Sequence, residues 1–388
     1  MARARKATQI ASKIGMILFG EEGTGKSSLA LQFALMKRPD GKPFRVLYID
    51  NENGSIDDFI EGLEQQGINI DNIYIVYTQS LAETREYINT VKSNTDFYEL
   101  DEDGNQTDNI VLDGDGQPFR ADAIVVDGTS ILKLTSQQGL LELSKKRNAV
   151  KAKADGLIGD DKFVKVEGAG LELKDYNALN FKGQDLILDL MSCGAHYIVT
   201  ARETDEKQTV KDAKGSITSI STGKKIPDGF KGMMYNVKTV VRMYKDKDGN
   251  YCAEISKDRT GIHNNETVED LTLLDWQPII DKTKDKSEFI IKNDLTKAVN
   301  IEQQMLRKEY DKSIGETEDN NADDNGEIDE LKSSINDVMR HLFPDDKNKA
   351  KKALTDAGLP SKPSEIKAEN NKEVLEKVLA IAKDCVKK

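Results

Sequence analysis

The sequence "GEEGTGKS", residues 20–27, gives the strongest indication of the fold. It matches G-x-x-x-x-G-K-[ST] in full, a pattern whose glycines let successive backbone N–H groups point at a phosphate chain. Lys26 would neutralise the β- and γ-phosphates, and Ser27 would place its hydroxyl on Mg²⁺. The stretch therefore predicts a loop for ATP and Mg²⁺, formed by Gly20, Glu21, Glu22, Gly23, Thr24, Gly25, Lys26, Ser27 and Ser28.

Apolar runs on both sides of this loop predict the architecture around it. A short apolar strand precedes the loop, and "SSLALQFALM" after it has helical spacing. Further apolar runs alternate with helical stretches, and such alternation is typical of an α/β fold with a central, mostly parallel sheet. The predicted strands are residues 14–19, 45–49, 72–77, 123–126 and 196–202, and residues 82–91 are a predicted helix.

Two hairpins interrupt or extend the alternation. Residues 97–119 carry Asp-Gly turns on both sides of an Ile-Val-Leu run, which predicts a hairpin insertion. Late in the core, "KTVVRMY" and "YCAEISKDR" flank the turn "KDKDGN" and predict a second hairpin.

The C-terminal part of the sequence changes character. Residues 316–330 contain eight carboxylates and no Lys or Arg, so they repel one another and predict a disordered linker. Apolar residues after the linker return at helical spacing. The sequence therefore predicts an ATPase core over residues 1–300, a helical extension and acidic linker over 301–330, and a small helical domain over 331–388.

Composition narrows the function classes. A net charge of −12 over 388 residues argues against a protein that coats nucleic acid with its whole surface, although a basic loop remains compatible. Three Cys and three His stand without metal-ligand spacing, so we expect neither disulfides nor a structural metal. No apolar run approaches about 18 residues and no secretory signal is recognisable, which predicts a cytoplasmic protein rather than a membrane protein.

Two acids are candidates for the chemistry at the loop. Asp127 ends the apolar run "AIVVD" and is the expected second carboxylate, which holds Mg²⁺ through water. Gly128 and Thr129 stand where AAA+ ATPases and many helicase families carry a Glu that activates the attacking water. If this protein hydrolyses ATP, its base must therefore come from elsewhere. Glu52, two residues beyond Asp50 in "YIDNENGS", would lie at the same rim of the sheet and is the candidate general base. The alternative is an exposed acid in a loop.

The order and spacing of five segments resemble the RecA-type ATPase core. They are "GEEGTGKSSLALQ", "VLYIDNENGSID", "ADAIVVDGTSIL", "HYIVTARE" and "AEISKDRTG", and the resemblance covers residues 14–262. Among such proteins the chain looks most like compact phage RecA-like ATPases, including single-strand annealing proteins. The resemblance implies a RecA-like fold, ATP hydrolysis and Glu52 as the catalytic base.

The same resemblance implies roles for residues near the γ-phosphate. Thr200 or Arg202 would be the γ-phosphate sensor, at a position where RecA carries Gln. Lys257 and Arg259 would reach the γ-phosphate of a neighbouring subunit, which implies self-association into a ring or filament. Catalysis would then rest on Glu52 and Lys26 from one copy and on Lys257 and Arg259 from another.

The resemblance also implies a place for single-stranded DNA. Residues 204–228 would form a mobile loop whose lysines contact the phosphate backbone without reading bases. The candidates are Lys207, Lys211, Lys214, Lys224 and Lys225. The basic stretch "SKKRNAVKAK", residues 144–153, would stand where a first DNA loop lies in RecA. Both segments suit an idle surface equally well.

The function predicted first is a RecA-like ATPase that acts on single-stranded DNA in phage-type recombination or replication. The alternative is an ATP-dependent switch or helicase loader without direct DNA contact, with the C-terminal domain as its adaptor for replication or recombination proteins. A nucleotide kinase is a weaker third, because the sequence lacks an Arg-rich lid and a kinase has no use for a basic pair acting in trans.

Overall fold

The computed structural model describes residues 12–54, 56–101, 104–211, 217–263, 265–282, 295–313, 331–336, 338–339, 344–369 and 371–384. The chain forms two compact units, Met1–Asp294 and Leu295–Lys388. The acidic run at residues 316–330 and Lys214 lie outside the described residues.

A nine-stranded sheet forms the centre of the first unit. Its strands are β1 (Gly15–Gly20), β2 (Val46–Asp50), β3 (Ile73–Tyr77), β6 (Ala123–Asp127), β7 (His196–Lys211), β8 (Ile217–Asp228), β9 (Thr239–Lys245), β10 (Tyr251–Asp258) and β11 (Thr267–Glu269). The order is β11-β10-β9-β1-β7-β6-β2-β3, with β8 beside β7. Neighbours from β9 to β3 run parallel, whereas β8, β10 and β11 pair antiparallel.

Helices cover both faces of this sheet. They are α1 (Lys26–Leu31), α2 (Asp57–Gln65), α3 (Leu81–Ser93), α4 (Thr129–Ala154), α5 (Gly159–Glu167), α6 (Leu173–Ser192), α7 (Met233–Asn236) and α8 (Gln277–Asp281), with short 3-10 helices at Gln32–Leu35, Ile70–Asn72 and Leu273–Trp276. One apolar cluster contains Phe33 and Trp276, and a second contains Phe119 and Leu186. Every residue of β1, β2 and β6 is buried, as expected for parallel strands covered on two faces. The α/β fold with a central, mostly parallel sheet that the sequence predicts is confirmed.

The same five-residue pattern builds three turns. In "DEDGN" (101–105), "DGDGQ" (113–117) and "DKDGN" (246–250), the carboxylate of the first Asp accepts the backbone N–H four residues later, at 2.7, 2.9 and 2.8 Å. The glycine in the fourth position has a φ of 78°, 70° and 88°, a conformation that favours glycine. The first turn joins β4 (Tyr98–Leu100) to β5 (Gln106–Ile110), which form their own two-stranded sheet. The third joins β9 to β10.

The described residues of the range 204–228 are not the loop that the resemblance implied. Residues 204–211 complete β7 and residues 217–228 belong to β8, and the two strands pair antiparallel from Arg202 and Asp228 outward as an arm beyond the edge of the parallel sheet. Threonine, valine and isoleucine recur along both strands, and such residues favour extended backbone over a loop. The basic stretch at residues 144–153 is also not a loop, because it lies within α4.

The second unit is helical. Its helices are Leu295–Ser313, Pro344–Asp356, Pro363–Ala368 and Lys372–Asp384, with a further helical segment at residues 331–336. Ile335, Leu354, Leu375 and Val378 are fully buried and form its apolar cluster with Ile366. The sequence placed the end of the core at residue 300, and the division lies after Asp294. Among the described residues of both units, no helix is long and apolar enough to cross a membrane.

Candidate functional site

Several of the predicted site residues lie where the parallel strands end. Gly20 of β1 is in register with Arg202 of β7, and Asp50 of β2 is in register with Asp127 of β6. We call this side of the sheet the carboxyl edge. The neighbours of β1 are β7 on one side and β9 on the other, while the chain itself continues from β1 to the more distant β2. Open α/β sheets bind ligands at such a point.

The P-loop between β1 and α1 has a shape that only glycine permits at two positions. A Cβ atom on Gly20 would lie 2.0 Å from the carbonyl oxygen of Met243, so a side chain there would collide with β9. Gly25 precedes α1 with a φ of 87°. The loop therefore stays close to the neighbouring strand, and its backbone stays open towards a ligand.

Lys26 points back into this loop. Its Nζ donates to the carbonyl oxygens of Glu21 and Gly20, at 2.6 and 3.2 Å. Burial lowers the pKa of Lys26 from its ordinary value, and the nearby carboxylates of Glu52 and Asp127 partly oppose that shift. A buried ammonium is costly unless anions compensate it, so a polyphosphate in the loop would supply the missing charge.

Asp127 is held by hydroxyl groups. Its carboxylate is buried and accepts a hydrogen bond from the Tyr48 hydroxyl at 2.6 Å, while the Thr200 hydroxyl donates to its other oxygen. The backbone N–H of Gly128 donates to the Thr200 hydroxyl at 2.8 Å. Because Thr200 uses its proton on Asp127, it orients this carboxylate, and Arg202 is the remaining sensor candidate at the rim. Sequence reasoning missed Tyr48; its only signal is one hydroxyl in the otherwise apolar run "VLYI".

Asp50 and Glu52 have different tasks in the turn after β2. Asp50 is fully buried, and its carboxylate accepts the backbone N–H groups of Glu52 and Gly54 at 2.8 and 2.7 Å. It therefore shapes the turn. Glu52 extends over Gly128, where an added Cβ atom would lie 2.7 Å from the Cγ of Glu52. The glycine after Asp127 leaves room for the carboxylate of Glu52 beside the end of β6.

The rim also contains an ion pair. An Arg202 Nη2 atom lies 3.4 Å from Glu52 Oε1, with the side chains 61% and 32% exposed. The next residue, Glu203, is almost fully buried and accepts two hydrogen bonds from Arg242, at 2.9 and 3.4 Å. Arg202 and Glu203 thus connect the carboxyl edge to the base of the arm.

The oxygen atoms at this edge fit Mg²⁺. Carboxylate and hydroxyl oxygens are the ligands that this ion prefers, and it usually keeps several waters. Asp127 is oriented by two hydroxyls, and Ser27 lies in the first turn of α1, which contacts β6. Asp127 through water and Ser27 directly are therefore the residues that would hold the ion.

Lys257 and Arg259 lie at the other side of the sheet. Because β10 runs antiparallel to β9, its end is in register with the start of β9, Asp258 with Thr239, four residues before Met243. Four residues of strand span about 13 Å, so the pair lies far from its own P-loop. Lys257 Nζ donates to the carbonyl oxygens of Met234 and Tyr235 at 2.8 and 3.0 Å, and Arg259 is exposed.

The lysines of the arm differ in their surroundings. Lys207 and Lys224 are exposed. Lys225 Nζ lies 3.0 Å from Asp205 and 3.6 Å from Glu203, and the hydrogen bond to Asp205 raises its pKa. Lys211 ends β7. Residues 204–228 contain five lysines and four acids, so these side chains give the arm a net charge of only +1.

Comparisons with known proteins do not identify a function for this chain. No family model matches the chain, and no curated protein matches it. Among solved structures, the chain is similar to a KaiC-like protein from the hyperthermophilic archaeon Pyrococcus horikoshii OT3, at 15% identity and a TM-score of 0.34. The match covers 66% of this chain and 83% of that one. The function is therefore argued from the strand order and the site geometry.

Proposed function

We propose that this protein binds ATP with Mg²⁺ and hydrolyses it at the carboxyl edge of the sheet. The observation that carries the proposal is the position of Glu52 over Gly128, beside Asp127 and within the electrostatic reach of Lys26. A carboxylate at this place can accept the proton of a water molecule that attacks the γ-phosphate. Mg²⁺, when bound, would neutralise charge on the phosphate oxygens.

Each side chain then has a task in the reaction. The P-loop amides and Lys26 orient the triphosphate, and the water oxygen bonds to the γ-phosphorus as its proton passes to Glu52. The bond from the γ-phosphorus to the bridging oxygen breaks, and ADP leaves. Before nucleotide binds, Arg202 pairs with Glu52; a γ-phosphate offers this guanidinium a second anion and would leave Glu52 free to act as base.

Replacing Glu52 by Gln tests the assignment of the base. We expect E52Q to lower kcat by about a hundredfold or more with unchanged ATP affinity, because general-base catalysis contributes about 10² to 10⁴. Glu61→Gln on α2 is a matched control, since it removes an exposed carboxylate outside the site. Steady-state hydrolysis and ATP titration give both values. Wild-type turnover in E52Q would rule out Glu52 as the base.

We propose further that the ATPase acts on single-stranded DNA in recombination or replication. Strand β7 supports this, because it carries Thr200 and Arg202 at the carboxyl edge and continues into the arm with Lys207. A change at the γ-phosphate would thus reach the arm along one strand. Lys207 and Lys224 are the favoured phosphate contacts, whereas Lys225 is paired with Asp205.

Stimulation of ATP hydrolysis by an oligo-dT strand tests this step. We expect K207A/K224A to reduce the stimulation about tenfold and to flatten its salt dependence, since each lost phosphate contact removes released counterions. K225A should have a smaller effect, because Asp205 already neutralises it. Lys162→Ala, at an exposed lysine of α5, is the control. Equal stimulation of all variants would remove the arm from DNA binding.

A second candidate is an ATP-dependent switch that binds a protein instead of DNA. The observation that favours it is an apolar surface on and around α5 and α6, where Ile158, Phe163, Leu173 and Phe181 are 82%, 66%, 78% and 66% exposed. Exposed apolar residues in such number often mark a protein interface. Intact ATP hydrolysis together with neither binding nor stimulation by single-stranded DNA would favour this function over the first.

A further inference from the structure

The two sides of β1 offer different surroundings to a bound triphosphate. Asp127 and Glu52, which would meet the γ-phosphate, belong to β6 and to the turn after β2, on the β7 side of β1. On the other side, β9 pairs with β1 so that Met243 stands beside Gly20. The α-phosphate and the nucleoside should therefore extend towards the hairpin of β9 and β10.

Two side chains of that hairpin lie against the P-loop. A Cβ atom placed on Gly25 would lie 3.7 Å from the Cε of Met243 and 4.0 Å from the Cδ1 of Tyr251, which is ordinary van der Waals contact. Tyr251 is nevertheless 45% exposed. The loop is thus bordered by a thioether and by an aromatic ring that is still open to solvent.

The ring of Tyr251 already has a partner of the kind that a ligand can replace. The ammonium of Lys245 lies 4.8 Å from the ring centroid. This lysine is itself exposed, so it reaches the ring from the solvent side. An exposed cation–π contact is weak, and a flat base can take its place on the ring.

We propose that Tyr251 stacks on the base of the bound nucleotide, with Met243 beside it as the apolar end of the same shelf. The inference rests on the proposed ATP binding and adds its base site. The ligand class is a nucleotide with an aromatic base, because stacking reads the face of the ring and not its edge. On binding, the base replaces Lys245 on the tyrosine ring.

Comparing ATP with inorganic tripolyphosphate isolates the base from the phosphates. Calorimetric titration with Mg²⁺ present is run on the wild-type chain, on Y251A and on Y251F. We expect Y251A to bind ATP about tenfold more weakly and tripolyphosphate equally well, because one base–aromatic stack is lost. Y251F keeps the ring and should bind both as the wild-type chain does. Tyr176→Ala on α6, at a tyrosine that is 47% exposed, is the matched control.

Three results would overturn the inference. Full ATP affinity in Y251A would show that the ring does not meet the base. An equal loss of affinity for ATP and tripolyphosphate in Y251A would show that Tyr251 supports the loop instead. Equally tight binding of both ligands by the wild-type chain would show that the base contributes nothing, although the phosphate site stands. Failure of the wild-type chain to bind either ligand would instead refute the proposed ATP function.

Discussion

The two edges of the central sheet differ in how complete they are. At the carboxyl edge, one chain brings together Lys26, Glu52 and Asp127, and hydroxyls from two strands orient Asp127. At the amino edge, Lys257 and Arg259 present cations about 13 Å or more along the sheet from any phosphate in their own loop. Lys257 and Arg259 can therefore serve an ATP site only if that site belongs to another copy.

Complementation between two inactive variants tests whether the carboxyl edge of one copy works with Lys257 and Arg259 of another. We expect K257A/R259A to hydrolyse ATP about a thousandfold more slowly, since cations supplied in trans contribute about 10³ to 10⁵. E52Q keeps the cations but lacks the base. In a 1:1 mixture, about a quarter of the interfaces would combine Glu52 from one copy with Lys257 and Arg259 from another.

The mixture should therefore regain activity that neither variant has alone, measured as steady-state ATP turnover at a protein concentration that permits assembly. A mixture of E52Q with K26A is the control. Both variants keep Lys257 and Arg259 and both are defective at the carboxyl edge, so no interface in this mixture contains an intact site. Full turnover by K257A/R259A alone would show that the amino edge takes no part in hydrolysis.

A methyl group at Gly128 tests how tightly the carboxyl edge is built. Gly128→Ala places a Cβ atom 2.7 Å from the Cγ of Glu52, at a φ of 96°. We expect kcat to fall about a hundredfold as Glu52 is displaced, with a loss of about 1 to 2 kcal/mol in unfolding free energy from the strained backbone. Gly139→Ala in α4, where an added Cβ meets no atom within 4 Å, is the control. Unchanged turnover in G128A would contradict the packing of Glu52 over Gly128.

The hydroxyl of Tyr48 offers a smaller perturbation of the same edge. Tyr48→Phe removes the hydrogen bond to Asp127 and keeps the ring. Hydrogen bonds to charged groups contribute about 1.5 to 3 kcal/mol, so we expect about a tenfold weaker apparent affinity for Mg²⁺ in the ATPase assay. Tyr74→Phe is the control, because its hydroxyl donates to Tyr98 in the β4 region. Identical Mg²⁺ dependence in Y48F and the wild-type chain would show that Asp127 needs no such support.

At the amino edge, we expect the smallest effect from His196, which makes the free energy of unfolding depend on pH. His196 is buried, accepts the backbone N–H of Ile14 at 3.0 Å, and burial lowers its pKa well below the ordinary value, with Lys13 and Lys238 adding to the shift. The unfolded chain binds a proton there near pH 6.5 and the folded chain does not, so stability falls as the pH drops below 6.5, by at most about 1.4 kcal/mol per pH unit.

Urea unfolding at pH 7.5 and 5.5 measures this dependence. In His196→Asn the unfolding free energy should fall less steeply below pH 6.5, by up to about 1.4 kcal/mol per pH unit, because the titrating group is gone. His263→Asn, at a histidine that lies between Glu266 and Asp275, is the control. The same pH slope in H196N and the wild-type chain would show that another group carries it.

Local patterns in the sequence were sufficient for the elements of the fold. The P-loop, the buried strands and the hairpin of β9 and β10 each rest on residues that are neighbours in the chain, and the structure has all of them. The pattern D-x-D-G-[NQ] gives the same hydrogen bond at three places. Such features are readable because their geometry is set by residues within one turn or one strand.

The arm differs from what the resemblance implied. The resemblance placed a mobile loop at residues 204–228, but residues 204–211 and 217–228 are extended because β7 pairs with β8. Strand pairing also decides which lysine of the arm forms an ion pair, since Lys225 lies beside Asp205 of the opposite strand. Composition alone does not reveal which lysine is neutralised by its neighbour across the ladder.

Residues that are close in the chain are sufficient to predict a P-loop on an α/β sheet, with acids at the ends of neighbouring strands. The surroundings of those acids depend on contacts between residues that are far apart in the chain. The Tyr48 hydroxyl donates to Asp127, which is 79 residues away in the sequence, and the absence of a side chain at Gly128 leaves room for Glu52. The strand order also places Lys257 and Arg259 at the edge away from the loop. Contacts of this kind depend on which strands become neighbours, and hydrophobic periodicity carries no information about that order.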